Sequence, residues 1–553
     1  MNRLLCRVCG PTRSFRSPGG LRRTLRLALM LTLAFIGGIA AAGESCLSCH
    51  AAETSGLAQQ HRFADAPCTP CHAGAPDAGT EEAAHRGLIR RPGELADSVR
   101  ACGGCHATQV NWVMQSPMST GARIVAATRR LFGEAAGPPG SDHMRALGHG
   151  AADSLLRKLC ASCHLAQAQS GEGEDPVHAR GGGCLACHLS AKTDGDGHRR
   201  LDTATGDRHC FGCHSRSGRI SLNYAGLGEV TGYDPGRGDT RLARLGDGRL
   251  VEHLEADVHH GAGLSCVDCH TGPGLMGAFA GEANSVDIAC EDCHDNDNPR
   301  LTADAWPGSP DALRRRVPFE LRKHQPFLAT TRGTPLWHVE LRENAEPLLY
   351  RKRDGQSLSV PQLSTDHARV THAHQKLTCD ACHAAWAPQC FGCHVDYDPD
   401  TPQWDHLDQR ETTGEWRERR WDIRNEAAPL GHRPDGRIGL FVPGMIMTLE
   451  HPDLATPEFI RRFAPLHPHT SGPSRTCEDC HREPRSLGLG RGTLAAGNDG
   501  LSFAPAGHRL QDGLPADGWA SLDAEPEHES GRERPLSPEE ISRLFHAPLS
   551  GAR

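Results

Sequence analysis

Apolar residues are spread thinly along this chain, and only one stretch is dense with them. Leu27 to Ala42 is almost wholly apolar, follows Arg22, Arg23 and Arg26, and ends in Ala40-Ala41-Ala42-Gly43. A positive flank, an apolar run and small residues predict an export signal over residues 1–42, cut from the mature chain. Beyond it no run approaches the roughly 20 apolar residues of a spanning helix. Elsewhere the pattern is short and broken. Leu336-Trp337-His338-Val339-Glu340-Leu341 and Leu348-Leu349-Tyr350-Arg351 alternate, Asp354-Gly355 marks a turn, and Leu358-Ser359-Val360 reads as a return strand. Together they predict a small β-hairpin. Ser537-Pro538-Glu539-Glu540 has the order of N-cap, N1 proline and N3 glutamate, and Ile541, Leu544 and Phe545 give the following helix an apolar face. Residues 395–476, charged and containing Trp404, Trp416 and Trp421, read as loops and short helices.

So weak an apolar pattern needs another source of core, and the cysteines supply a candidate. Cys-x-x-Cys-His occurs eleven times. The first five copies are Cys46, Cys49 and His50; Cys68, Cys71 and His72; Cys102, Cys105 and His106; Cys160, Cys163 and His164; Cys184, Cys187 and His188. The next three are Cys210, Cys213 and His214; Cys266, Cys269 and His270; Cys290, Cys293 and His294. The last three are Cys379, Cys382 and His383; Cys390, Cys393 and His394; Cys477, Cys480 and His481. Two thiols at this spacing form thioethers with the vinyl groups of a haem, and the adjacent histidine reaches its iron. Twenty-two of the 24 cysteines are used so, and Cys6 and Cys9 fall within the export signal. The expected cofactor is haem c, eleven copies, all covalent. Haem faces would then form much of the core, and the chain without them is expected to be largely unfolded.

On these eleven motifs the chain resembles the multihaem cytochromes c of the bacterial periplasm and cell exterior. The resemblance implies a mainly α fold with much irregular structure, organised around a chain of packed haems, with the β-hairpin as a small insertion. It also implies that histidines ahead of a motif complete the sixth position of a neighbouring iron. His61, His178, His260, His374 and His469 lie five to eight positions before a first cysteine and are the candidates. Eleven of the 34 histidines belong to motifs, so the 23 others outnumber the positions they would fill. The stretch from Cys102 to His106, through Trp112, Ser116 and Met118, is similar to the cytochrome c-554 and hydroxylamine-oxidoreductase branch. That likeness covers about twenty residues, and Met118 stands where the branch tends to show histidine.

Motif spacing divides the chain into the signal, a trihaem region (43–150), a pentahaem region (151–300), a haem-free insertion (301–375), a doublet plus single haem (376–481) and a haem-free tail (482–553). Removing the seven arginines of residues 1–42 from 60 basic residues leaves 53 against 68 acidic ones, a net charge of −15. Such a surface suits a positively charged redox partner and gives no support to nucleic-acid binding. The expected location is periplasmic or secreted, in a bacterium. The expected partners are a quinol-linked cytochrome at one end and a terminal reductase, an outer-membrane conduit or a mineral at the other.

Electron relay is the leading expectation. The alternatives are an oxidoreductase acting on a small nitrogen or sulfur compound at one five-coordinate haem, and a haem filament. About 46 residues per haem in the mature chain is a dilute ratio, which leaves protein to shape a pocket or an interface. No motif histidine is replaced by lysine, and none of Tyr224, Tyr233, Tyr350 and Tyr397 lies within a motif. No phosphate loop or nucleophile–base pair supports a hydrolase or an ATPase.

Overall fold

The computed structural model describes residues 46–549 except 51–67, 135–139, 170–179, 190–200, 216–220, 232–240, 283–284, 296, 298, 307, 365–366, 368–373, 499 and 525–532. The expected signal, His61 and His178 fall outside the described residues. Among the described residues no helix is long and apolar enough to cross a membrane.

Helix and strand are nearly balanced, 29% against 26%. This corrects the expectation of a mainly α fold with one small hairpin. Strands β1 (Leu227–Val230), β2 (Leu242–Arg244) and β3 (Leu250–His253) form a three-stranded sheet with β3 central. Strands β4 (Arg300–Thr302), β5 (Pro326–Ala329), β6 (Pro335–Glu340), β7 (Leu348–Tyr350) and β8 (Ser357–Ser359) form a five-stranded antiparallel meander. The Asp354-Gly355 turn joins β7 to β8, pairing Tyr350 with Ser357, and Gly355 takes φ +72° there. The sequence pattern thus marked three strands of a sheet that has five.

The larger surprise is the charged stretch after residue 387. It forms β9 (Ala387–Asp405), β10 (Arg410–Glu426), β11 (Leu430–His432), β12 (Ile438–Glu450) and β13 (Glu458–Pro465). With β14 (Arg534–Pro535) they make a six-stranded sheet, ordered β10-β9-β12-β11-β14 with β13 also on β12. Loops and short helices are therefore the wrong reading of 395–476. The physical reason lies in the two faces of the β9–β10 ribbon. Phe391, Val395, Trp416 and Ile423 are buried, whereas Trp404 and Trp421 are exposed. The charges sit on the solvated side, where Arg419 pairs with Asp396 at 2.5 Å and Arg417 pairs with Asp398. Cross-strand pairs of opposite charge stabilise an exposed sheet face without any apolar signature.

Three packing contacts carry these sheets to the motifs. The meander core (Leu328, Leu336, Val339, Leu349) packs against Cys269, Ile288 and Cys293. The tip of the β9–β10 ribbon is clamped to the residues just before Cys160. Arg157 donates to Asp405 at 2.7 Å and to Asp408, and the Lys158 Nζ donates to the carbonyls of Thr412 at 3.1 Å, Thr413 at 2.7 Å and Gly414. The tail helix Pro538–His546 starts with a reciprocal capping box between Ser537 and Glu540 and buries Ile541 among Leu430, Leu440, Leu487 and Leu489. Burying one such side chain contributes about 1.5–3 kcal/mol.

Candidate functional site

Ten of the eleven motifs lie on or across one helical turn. The motif histidine's N–H reaches back to the first cysteine's carbonyl, as in His50 to Cys46 (2.8 Å), His106 to Cys102 (2.8 Å) and His270 to Cys266 (2.9 Å). Residues i, i+3 and i+4 then share a face, which aligns two thiols and an imidazole. Several turns carry their own caps. Ser265 with Asp268, and Thr476 with Asp479, form capping boxes in which the residue before the second cysteine closes the turn. Asp268 also accepts the Lys352 N–H at 2.7 Å, and Asp292 accepts that of Thr331 at 2.9 Å, so the caps double as anchors for the meander. The exception is Cys390–His394, which lies in strand β9 with its two sulfurs 3.8 Å apart. All 22 motif cysteines are free of disulfides.

Five motif histidines donate Nδ1–H to a main-chain carbonyl. The acceptors are Ile89 for His72 (2.6 Å), Asp202 for His188 (2.9 Å), Pro361 for His294 (2.8 Å), Gly472 for His383 (3.1 Å) and Leu544 for His481 (3.0 Å). Such a bond fixes the tautomer and leaves the Nε2 lone pair for a metal.

Five motif histidines also face a second imidazole. Ring centroids are 6.2 Å apart for His50 and His85, 6.0 Å for His294 and His259, 6.1 Å for His270 and His469, 6.2 Å for His383 and His367, and 6.2 Å for His481 and His374. Two imidazole nitrogens, each about 2.0 Å from one metal, are about 4 Å apart. Adding the two ring radii brings the centroids to about 6 Å. The narrow spread fits an iron between each pair, whereas the ring contacts of His451 range from 4.6 to 6.2 Å. The two rings of the pair at His294 are both held through Nδ1, His259 by the Asp257 carboxylate at 2.8 Å. The residues present therefore fit haems with two axial histidines at five motifs.

In all but one pair the second histidine comes from the leader of a different motif, the exception being His367, which faces the motif it precedes. His259, ahead of motif 7, faces motif 8; His469, ahead of motif 11, faces motif 7. His367 and His374, both ahead of motif 9, face motifs 9 and 11. Of the candidates named from sequence, His374 and His469 take such positions. His260 instead packs edge-on against Tyr224 at 5.2 Å, and its neighbour His259 makes the pair. His85, His259 and His367 escaped the sequence reading. An Asp at the helix start, Asp257, two residues before the histidine it orients, is the one signal that pointed to His259.

Most of the motifs abut one another in chain order, with motif 4 off the line. Cys71 and Cys184 both raise the Cys102 thiol, which burial first pushes up, to about 11. Burial and then Cys210 push Cys187 up to about 12. The Cys266 N–H donates to Asp207, just before Cys210, at 2.8 Å. Burial and then Cys269 raise Cys293 to about 12. The ligand atoms of Cys290, Glu291 and Cys379 lie within 4.8 Å of one another, and the Arg475 N–H donates to the Cys382 carbonyl at 2.8 Å. These contacts trace a line through motifs 2, 3, 5, 6, 7, 8, 9 and 11. Motif 4 joins it from the side, where the Cys213 sulfur meets the Cys163 carbonyl at 3.1 Å.

His164 of motif 4 differs from the paired histidines. It is 5% exposed, and neither ring nitrogen has a hydrogen-bond partner. Burial, and then His143, hold its pKa down, at about 4. Comparisons with protein families, with curated proteins and with solved structures find no match for this chain.

Proposed function

We propose that this chain is a multihaem cytochrome c that relays electrons between redox partners. The observation that carries the reading is the set of five histidine pairs at 6.0–6.2 Å, each joining a motif histidine to one from another part of the chain. Haem bound there supplies a one-electron couple whose potential follows its axial ligands, burial and nearby charge. The polypeptide's part is to hold each imidazole in one tautomer, to pack successive motifs against one another and to exclude water from the thiol line. Two histidines saturate an iron, which suits transfer and closes it to substrate.

The remaining parts of the reading follow the motifs. Eleven haem c groups are attached through the 22 cysteines, in the periplasm or outside the cell, where a bacterium completes such attachment. A quinol-linked cytochrome and a terminal reductase, outer-membrane conduit or mineral are the partner classes. The line of abutting motifs favours a relay with two ends. A second reading, an oxidoreductase for a small nitrogen or sulfur compound, is favoured by one observation, the unpartnered His164.

Intact mass and haem content of the full chain, produced alongside a haem-attachment system, test the proposal. Eleven covalent haems with predominantly low-spin EPR signals are expected. A chain that folds and purifies without covalent haem would sink it.

A further inference from the structure

The haem-free insertion is fastened to two motifs at once. Its β7–β8 turn, Arg351-Lys352-Arg353-Asp354-Gly355, lies on motif 7. The Lys352 main-chain N–H donates to the Asp268 carboxylate at 2.7 Å, and its Nζ donates to the Val267 carbonyl. The Arg351 guanidinium donates to the Ala262 carbonyl at 3.0 Å, just ahead of the motif. Gly263, at φ +81°, leaves the room this needs, because a Cβ there would collide with the Arg351 Nη1. The segment that follows β8 lies on motif 8. There the Pro361 carbonyl accepts the His294 Nδ1–H at 2.8 Å. The Gln362 side chain donates to the Cys293 carbonyl at 3.0 Å, and the Leu363 N–H to the His294 carbonyl at 3.0 Å.

The cations of the turn divide by side-chain chemistry. The Arg351 fork takes the Asp354 carboxylate through two bonds, at 3.0 and 2.7 Å, and Arg353 approaches the same carboxylate at 3.7 Å. Lysine offers a point charge instead of a fork, and Lys352 sets it on a carbonyl inside the Cys-x-x-Cys span. That charge is felt at both motifs. It opposes the effect of burial on the Cys269 and Cys293 thiols and adds to that effect at the His270 imidazole. The acid of the span, Asp268, is buried and also accepts from the Ser265 N–H at 2.7 Å and the Ser265 hydroxyl at 2.9 Å. Three cations face two carboxylates here, so the turn and the motif span together are net positive. A positive charge near an iron favours the form that holds one more electron, and so raises its potential.

We propose that Lys352 is a potential-setting residue: held on motif 7 by the meander, its charge raises the reduction potentials of the irons of motifs 7 and 8, that of motif 7 more. The inference rests on the haem reading above and gives the haem-free insertion a part in the relay. Motif 7 stands on the line between motifs 6 and 8, so its potential sets the driving force of the transfers on both sides.

The test uses the full haem-loaded chain, with covalent haem counted first. Reduction is followed by EPR-monitored redox titration at low ionic strength, since Lys352 is exposed and salt screens its charge. The low-spin signals that His469→Ala and His259→Ala remove identify the irons of motifs 7 and 8. Lys352→Gln keeps a donor for the Val267 carbonyl and drops the charge. It is expected to weaken reduction at motif 7 on the order of tenfold, about 59 mV for a one-electron couple, and at motif 8 by less. Unit charges about 12 Å apart at an effective dielectric constant of about 20 give an effect of that size. Lys352→Met, with neither charge nor donor, is expected to match Lys352→Gln, and Lys352→Arg, which keeps the charge, to leave both midpoints in place. Midpoints unmoved in Lys352→Gln and Lys352→Met overturn the assignment. So does an equal fall in Lys352→Arg, which would trace the shift to packing, or an equal fall at every other low-spin iron, which would trace it to the fold as a whole. Eleven haems with midpoints indifferent to Lys352 leave the relay standing and sink this inference; no covalent haem sinks both.

Discussion

Cys379–His383 and Cys390–His394 are separated by six residues, spell the same motif and adopt opposite backbones. The first is a helical turn, with the His383 Nδ1 on the Gly472 carbonyl at 3.1 Å and its ring 6.2 Å from His367. Its first sulfur lies against motif 8. The second is a length of strand β9, paired on one side with β10 and on the other with β12, where Cys393 stands opposite Arg420 and Met447. Its histidine faces a carboxylate, and the charged groups acting on its thiols are Arg420, Glu418 and Glu229. The difference teaches that the five-residue motif specifies chemistry but not conformation. Thr378, in the N-cap position, opens the first turn. The second is claimed by two neighbouring strands, and Gly392, at φ +70°, lets the ribbon absorb the motif.

The comparison breaks hardest at the ribbon. The Arg157–Asp405 pair is almost wholly buried, and it holds the ribbon carrying the strand motif against motif 4. Removing one partner of such a pair strands a buried charge, so Arg157→Ala is expected to cost about 3–5 kcal/mol in denaturant unfolding. A loss under 1 kcal/mol would mean that the ribbon is held by packing alone.

The helical-turn motifs are distinguished next by their second histidines. His367→Ala and His469→Ala are each expected to turn one low-spin iron in eleven high-spin, while Glu450→Gln leaves the low-spin count unchanged. Ring planes sharpen this further. His383 with His367 and His270 with His469 are nearly parallel, at 17° and 21°, whereas His481 with His374 is nearly perpendicular, at 85°. Parallel imidazoles split the same pair of iron d orbitals and perpendicular ones cancel that splitting. His374→Ala is therefore expected to remove a strongly anisotropic low-spin signal, and His469→Ala a rhombic one. Identical losses from both would refute the ring geometry.

A smaller effect follows from the tail helix, which meets motif 11 where His481 donates to the Leu544 carbonyl. Arg534, and the cap on Ser537, hold the Glu540 carboxyl down, at about 2, below its ordinary value near 4.5. A depressed carboxyl contributes stability that is fully present above the unfolded pKa and lost as the pH falls through the folded one. Stability from this contact should thus be complete above about pH 4.5 and fade toward pH 2. Glu540→Gln is expected to flatten that acid slope; an unchanged slope would place the acid sensitivity elsewhere. The smallest expected effect is Thr476→Ala, about 1 kcal/mol for a lost N-cap at motif 11, read by thermal unfolding. No change in the strand motif's haem should accompany it.

Much of the site was legible as text and much of the fold was not. The motifs, the Ser537 cap and the alternation of 336–360 are local signals, and each corresponds to an element in the structure. Residues 395–426 hid their strands because the solvated face carries arginines and acids where a strand search looks for apolar residues. His259 and His260 show the same limit at the scale of one side chain. Adjacent positions on a helical turn differ by about 100°, and Asp257 selects which of them points at motif 8.

By itself the sequence determined which atoms are available for bonding: 22 thiols, eleven adjacent imidazoles, and the local caps that close the turns at Cys266 and Cys477. Those are short-range properties, set by spacing along one turn. Only the tertiary structure decided which histidine faces which motif, that motif 8 lies beside motif 9, that motif 4 stands off the line, and that one motif is a strand. Each of these depends on residues tens to hundreds of positions apart meeting in space, as Arg157 meets Asp405, and no local pattern encodes that meeting.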